Sequence, residues 1–247
     1  SNINVLSVRY VDITQPTDKS AVAGAWPDPL PPLTGPVDLE PDRNHPFWVR
    51  VKVPRNTPAG TYRGSIHLTA KNNYACDIEL QVEVYDFTLP DRMTCSTAFG
   101  FDPGNVYRYH KLSHEQDKRT VLDKYWANFS AHHIAMYNPA PLDPIRATWP
   151  EWIEGGDFEP PALPDVEREK LHVTFNFSAW DRAMERAIDQ YHFNSFRLSI
   201  PGMGGGTFHA RTEPQLLGFD EKTPHYQALF TDYCTQIERH LRAKGWL

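Results

Sequence analysis

Phe196-Arg197-Leu198-Ser199-Ile200-Pro201-Gly202, a glycine-rich run to Thr207, and then Thr223-Pro224-His225-Tyr226 decide how this chain reads. The first segment alternates apolar and polar residues as a strand does, and Pro201-Gly202 stops it. Thr223 has the chemistry of an N-cap, and Pro224 fits the first helical turn because its missing N–H would have no partner there. From that cap an apolar stripe runs through Tyr226, Leu229, Phe230, Tyr233, Cys234, Ile237 and Leu241, and Gly245 stands where a left-handed residue closes a helix. Strand, loop and helix in series form one βα unit.

Two more such units precede it. Thr97–Phe101 reads as a short strand. Ser113-His114-Glu115-Gln116 has the form of a capping box ahead of Val121, Leu122, Tyr125, Trp126 and Phe129. His133–Tyr137 reads as a second strand, stopped at Asn138-Pro139. Residues 138–177 look like an insertion containing the alternating Leu171–Phe175. Ser178 then reads as the cap of a helix with Trp180, Ala183, Met184, Ala187, Ile188 and Tyr191 on one face. Three βα units imply parallel strands, and a (β/α)8 TIM-type barrel is the commonest continuation, so residues 93–247 are expected to form the first part of one.

Residues 1–92 differ. Val49, Val51 and Val53 alternate with Arg50 and Lys52. Tyr62, Ile66 and Leu68 alternate with polar residues, as do Ile78, Leu80, Val82 and Val84. One buried and one wet face per strand is the pattern of an antiparallel sheet, and this module is expected to be a β-sandwich. Residues 3–13 add a strand, Lys71-Asn72-Asn73 reads as a turn, and residues 14–44 as a proline-rich crossing pinned by Trp26 and Leu30. The predicted architecture is thus a β-sandwich followed by a partial (β/α)8 barrel.

The totals narrow function. At 247 residues, with 40% hydrophobic and 13% aromatic residues, the chain can bury a sizeable core. A net charge of -6 speaks against a nucleic-acid or anionic-membrane partner, which needs a concentrated basic surface. No apolar run reaches the roughly 20 residues of a membrane span, and the first residues have neither a basic nor an apolar leader segment. Cys76, Cys95 and Cys234 have no metal-site spacing. His132-His133 would point to opposite faces of a strand, so no metal is expected.

Phe47–Pro54, Thr57–Gly64 and Val84–Pro90, together with Ser195–Gly206 and Leu241–Leu247, resemble the sandwich and third barrel unit of glycoside hydrolase family 123 and its uncharacterised relatives. The resemblance implies a β-N-acetylgalactosaminidase, or an enzyme of related N-acetylhexosaminides, with substrate-assisted retention. The substrate's 2-acetamido group attacks the anomeric carbon; one carboxylate steadies it and its neighbour protonates the leaving oxygen, a departure from the two-carboxylate nucleophile scheme. In the family an adjacent Asp-Glu pair ends the fourth barrel strand, which places it just after Leu247. The expected partners are a carbohydrate substrate and the remaining half of the barrel in a longer parent chain. The resemblance further implies a secreted or periplasmic setting and no cofactor.

Barrel sites lie at the C-terminal ends of strands. Asp102, Tyr137 and Asn138 take that position and are candidate sugar-binding residues, with His209 and Arg211 on the glycine-rich loop. Each has a plainer reading. Asp102 suits the turn before Pro103-Gly104, and Tyr137 suits barrel packing. Trp149, Trp152 and Phe158 could stack on a sugar or anchor a loop. Asp220-Glu221 is an adjacent acidic pair, but it lies just ahead of the Thr223 cap, where a helix favours acids. Asn128-Phe129-Ser130 and Asn176-Phe177-Ser178 match a glycosylation sequon by coincidence. A non-catalytic glycan-binding relative on the same scaffold is the main alternative function, and a purely structural module is a third.

Overall fold

The computed structural model of the chain describes residues 2–71, 74–97, 99–150 and 171–247. Its contacts divide it into two compact units, Ser1–Leu89 and Pro90–Leu247.

In the first unit, β1 (Ile3–Ser7) pairs antiparallel with β4 (Phe47–Val51), and β2 (Tyr10–Ile13) pairs with β3 (Gly24–Pro27). The long strands β5 (Gly60–Thr69) and β6 (Ala75–Val84) form a hairpin in which Tyr62 faces Val82 and Ile66 faces Ile78. The opposite face carries Arg63, His67, Asp77 and Glu79, with Arg63 bonded to Glu79 at 2.8 Å and His67 to Asp77 at 2.6 Å. Both pairs are open to water, where such contacts contribute little. Of the expected turn Lys71-Asn72-Asn73, Asn72 and Asn73 lie outside the described residues.

The proline-rich crossing is anchored by its backbone. Proline lacks an N–H but keeps its carbonyl. The carbonyls of Pro29, Pro31 and Pro46 accept from the N–H groups of Arg9, Ser7 and Val8 at 2.9, 2.9 and 3.3 Å. Leu33 N–H returns a bond to Val5 at 2.9 Å. Trp26 and Leu30, the expected anchors, remain 47% and 40% exposed.

The expected β-sandwich does not form. Each sheet here has two strands, and β4 pairs with β1 although a short turn links it to β5. Period-two alternation is present, yet no second sheet covers the apolar face of β5–β6: Tyr62, Leu68 and Ile78 stay more than 40% exposed, and Leu6 is the only buried side chain among the unit's described residues. A sandwich requires two such faces to interdigitate.

The second unit has two cores. One joins α3 (Ser178–Glu185) and α4 (Pro224–Lys244) through Trp180, Met184, Leu229, Tyr233 and Ile237, with Leu171 and Val173 beneath. The other joins α2 (Glu115–Ala131) to Met93, Ala135, Met136 and Phe193 through Leu122 and Trp126. Helix α4 is closed as its sequence predicts. Thr223 Oγ1 accepts from Tyr226 N–H at 3.3 Å, and Gly245 adopts φ 70° at the far end. Helix α3 continues into a π-helical turn, Arg186–Gln190, which keeps Ala187 in the core.

Two caps differ from expectation. Ser113 does not cap α2: His114 is the N-cap and makes no side-chain cap bond, so the expected capping box does not close. Ser178 is the first residue of α3 and donates, through N–H and Oγ, to Asn176 Oδ1 at 3.0 and 2.7 Å.

Among the described residues no closed barrel is present, which corrects the partial (β/α)8 reading. The segments around Phe99, Met136 and Arg197 do run side by side. Phe99 N–H donates to Ala135 at 3.3 Å, Tyr137 N–H to Phe99 at 3.1 Å, and Arg197 N–H to Tyr137 at 2.8 Å. Among the described residues one isolated parallel bridge, Phe99 to Met136, is all that regular pairing between these segments amounts to. Pro103, Pro139 and Pro201 stop each segment after a few residues, too short for the tilted, staggered ladders that close a barrel. The remaining strands form small antiparallel pairs: β7 (Arg146–Thr148) with β8 (Thr174–Asn176), β9 (Gly205–Thr207) with β10 (Ala210–Thr212), and β11 (Gln215–Leu216) with β12 (Phe219–Asp220).

Arg119 also clamps Asp143 with two bonds of 2.7 and 2.9 Å. The guanidinium's hydrogen bonds hold the Asp143 carboxyl below the usual carboxylate range. A depressed carboxyl contributes stability above its unfolded value of about 3.9, and that contribution is lost as pH falls through the lower folded value. Thermal unfolding followed from pH 6 downward should therefore show a loss below about pH 4 that is smaller in Arg119→Met. Identical acid profiles for the two proteins would remove this pair from the account.

Candidate functional site

Within the second unit a recess of about 290 Å³ opens between the three side-by-side segments and the α3–α4 core. Phe101, Tyr137, Asn138, Trp180, Arg197 and Ser199 line it, with Leu198, Ile200 and Tyr233 among its apolar contributors. Its size and its few polar groups among apolar walls are those of a small-molecule site.

Each lining residue is placed by the chain around it. Phe101 packs edge-on against Trp126 at 5.3 Å and Phe129 at 5.6 Å, which fixes the end of the first segment. Asn138 Oδ1 accepts from Ala140 N–H at 3.1 Å, forming the small side-chain turn that Asn favours before proline. Pro139 carries that turn into the core, where its carbonyl accepts from Trp126 Nε1 at 3.0 Å. Arg197 is set by its own N–H bond to the Tyr137 carbonyl, and its guanidinium carbon lies 5.4 Å from the centre of the Tyr137 ring. Ser195 Oγ donates to the Thr97 carbonyl, tying the third segment to the first.

From the helix side come Trp180 and Tyr233, both buried. Trp180 meets Phe196 at 6.2 Å and Trp246 at 5.6 Å. Tyr233 lies between Trp149, stacked at 5.7 Å, and Phe175 at 4.9 Å. Burial raises the Tyr233 phenol above its ordinary value, so it stays protonated at neutral pH.

The predicted site residues separate. Tyr137 and Asn138 both line the recess. Asp102 does not: its carboxylate caps α1 (Pro103–Tyr109) by accepting from Gly104 N–H at 2.8 Å. The glycine-rich run does not stay an open loop. It becomes the β9–β10 hairpin, where a methyl group at Gly206 would overlap the Ala210 carbonyl. His209 lies in the hairpin's turn and Arg211 on β10; both are exposed and outside the recess lining. Trp149 anchors its segment to α4, while Trp152 and Phe158 lie outside the described residues. Asp220 belongs to β12; its carboxylate accepts from Gln215 Nε2 at 3.1 Å and its carbonyl from Thr223.

Arg197, Ser199 and Trp180 are the recess residues that sequence reading missed. Arg197 and Ser199 are the polar alternates of Phe196–Ile200, and that signal was available. Among the described residues no group of His, Cys, Asp and Glu has a metal-binding arrangement, and no helix is long and apolar enough to cross a membrane. Among the described residues Arg197 is the one charged residue in the recess lining, a set that can bind and orient a ligand and includes no carboxylate.

Comparison with known families places residues 2–70 in a match to the glycoside hydrolase 123 N-terminal domain. The match covers β1 to β5 and agrees with the resemblance carried by Phe47–Pro54 and Thr57–Gly64. No curated protein matches the chain.

Proposed function

We propose that this chain is part of a glycoside hydrolase acting on β-N-acetylgalactosaminides or related N-acetylhexosaminides, and that the Tyr137–Arg197 recess holds a sugar ring. The domain match over residues 2–70 supports the enzyme class. The recess supports a sugar-binding role through one observation: an aromatic ring, an amide, a hydroxyl and a guanidinium converge on a cavity walled by Phe101, Trp180 and Tyr233. Aromatic rings present a flat apolar face to the C–H surface of a pyranose, and the polar groups orient its hydroxyls.

In this reading hydrolysis is substrate-assisted. The acetamido oxygen attacks the anomeric carbon as the glycosidic bond breaks, and water then opens the cyclic intermediate with net retention. A carboxylate pair must steady the acetamido group and protonate the leaving oxygen. No described residue of the recess can do either, so the recess is assigned to binding and none of its described residues to the chemistry. The same observation favours a second reading, a glycan-binding protein without turnover.

The test is titration calorimetry with methyl β-N-acetylgalactosaminide, run beside hydrolysis of its nitrophenyl counterpart. Tyr137→Ala is expected to weaken binding about tenfold or more, as removal of an aromatic anchor does, with little change in melting temperature because Tyr137 is 37% exposed. Equal affinity in the two proteins would remove the recess from the function. Release of nitrophenol would sink the second reading.

A further inference from the structure

We propose that the saccharide bound in the recess carries an oxyanion, a carboxylate or a sulfate ester, and that Arg197 recognises it. The proposal rests on the reading of the recess as a sugar site and adds the charge of the sugar.

Several cations of this chain are paired with carboxylates. Arg119 is held by Asp143 and Glu115, Arg186 by Asp123 at 2.6 Å, and Lys244 by Asp181 and Glu185 at 2.9 and 2.8 Å. The smaller recess of about 70 Å³ is lined by Arg119, Asp123, Asp143 and Arg186, a set of charges that neutralise one another. Arg197 is exposed and, among the described residues, shares its lack of an ion pair with other exposed cations such as Arg50 and Arg211; what sets it apart is that it lines the recess. Among the described residues no carboxylate pairs with it; it makes the backbone bond to Tyr137 and the ring contact at 5.4 Å. A cation over a ring at that distance is attracted to the ring's negative face, and this fixes its position without using any of its N–H donors. The planar fork remains free to grip two oxygens of a carboxylate or sulfate.

The neighbours support the same polarity. Asn138 spends its carbonyl oxygen on Ala140 N–H, which leaves the amide N–H groups as donors. Ser199 adds a hydroxyl. Among the described residues no acidic side chain lines the recess to repel an anion. Neutral sugars are usually held by mixtures of donors and acceptors; this recess offers mainly donors and one uncompensated positive charge.

The experiment uses the whole chain and matched pairs of probes: methyl β-N-acetylgalactosaminide against its 4-sulfate and 6-sulfate, and methyl β-glucoside against methyl β-glucuronide. Acidic probes should bind on the order of tenfold or more tighter than their neutral partners, as a charge-assisted pair implies. Raising salt to about 0.5 M should shrink the gap. Arg197→Gln should abolish the preference at an unchanged melting temperature, and Arg197→Lys should keep part of it. A preference for the sulfates alone or the glucuronide alone identifies the anion. Equal binding of neutral and acidic probes, or a preference that survives Arg197→Gln, overturns the proposal. If Tyr137→Ala then still weakens neutral sugars, the sugar-site reading stands; if no probe binds at all, both readings fail. The neutral–acidic comparison needs no variant, so the proposal stays testable should Arg197→Gln not fold.

Discussion

Replacing Trp126 with alanine is expected to remove about 3–5 kcal/mol from the unit formed by Pro90–Leu247, the range for deleting a large buried aromatic. Three losses coincide. Trp126 is 5% exposed, so its removal leaves a cavity in the α2 core. It meets Phe101 at 5.3 Å and Phe193 at 6.5 Å, contacts that hold the first and third side-by-side segments against α2. Its ring N–H is the donor to the Pro139 carbonyl, which would be left buried without that partner. Because Pro139 carries the Asn138 turn, sugar binding should weaken along with stability. Trp126→Phe separates the terms: it keeps much of the packing and leaves the carbonyl unsatisfied, at a cost of about 1–3 kcal/mol. Urea unfolding of both variants checks this. A Trp126→Ala protein as stable as the parent would show that this core does not hold the unit together.

Asp232→Ala should be the next most damaging change, at about 2–3 kcal/mol, the scale of hydrogen bonds to a charged group. Asp232 stands on α4 and accepts from Val173 N–H and Gln236 Nε2, both at 2.8 Å, while Gln236 also donates to the Val173 carbonyl at 2.8 Å. Both backbone groups of Val173, a residue 2% exposed, are thereby satisfied by one helix. Without the carboxylate the Val173 N–H is buried with no acceptor, the costly half of a broken pair. Asp232→Asn keeps one acceptor oxygen and should recover part of the loss. Amide exchange at Val173 reads the bond directly: it should accelerate strongly in Asp232→Ala and less in Asp232→Asn. Unchanged protection in both would place the link elsewhere.

What the sequence made legible was local. Thr223-Pro224 and Gly245 bracket α4, and its stripe is the buried face, because caps and a 3.6-residue period act within one helix. The alternation of Tyr62–Leu68 and Ile78–Val84 marks the two strands of one hairpin. What covers the hairpin's apolar face is a long-range property, and alternation carries no information about it; the sandwich was inferred there and does not form. The barrel failed for a similar reason. Three strand-loop-helix patterns predict parallel neighbours, and Phe99, Tyr137 and Arg197 do bond side by side, but closure depends on many rungs that these proline-stopped segments do not make.

Of the five residues expected to bind sugar, two line the recess and Asp102, His209 and Arg211 do not. Tyr137 and Asn138 were placed by the rule that ligands gather where strands end, and both line the recess. Asp102 obeys the same rule, yet Asp-Pro-Gly is also a helix start, and only the bond to Gly104 N–H decides between the two. His209 and Arg211 depended on reading glycines as an open loop. Gly205 and Gly206, at φ 149° and 103°, instead form a hairpin strand. Arg197 was passed over because a polar residue on a strand's wet face is ordinary. Its place in the recess lining, which gives it significance, is visible only in three dimensions.

The central claim is that the Tyr137–Arg197 recess holds the sugar, and amide chemical shifts during titration of the labelled chain with methyl β-N-acetylgalactosaminide test it most directly. Saturable shifts should gather on Phe101, Tyr137, Asn138, Arg197 and Ser199, leave the β9–β10 hairpin still, and disappear in Tyr137→Ala. Shifts confined to His209, Arg211 or the first unit, or a spectrum that does not move, would contradict the account.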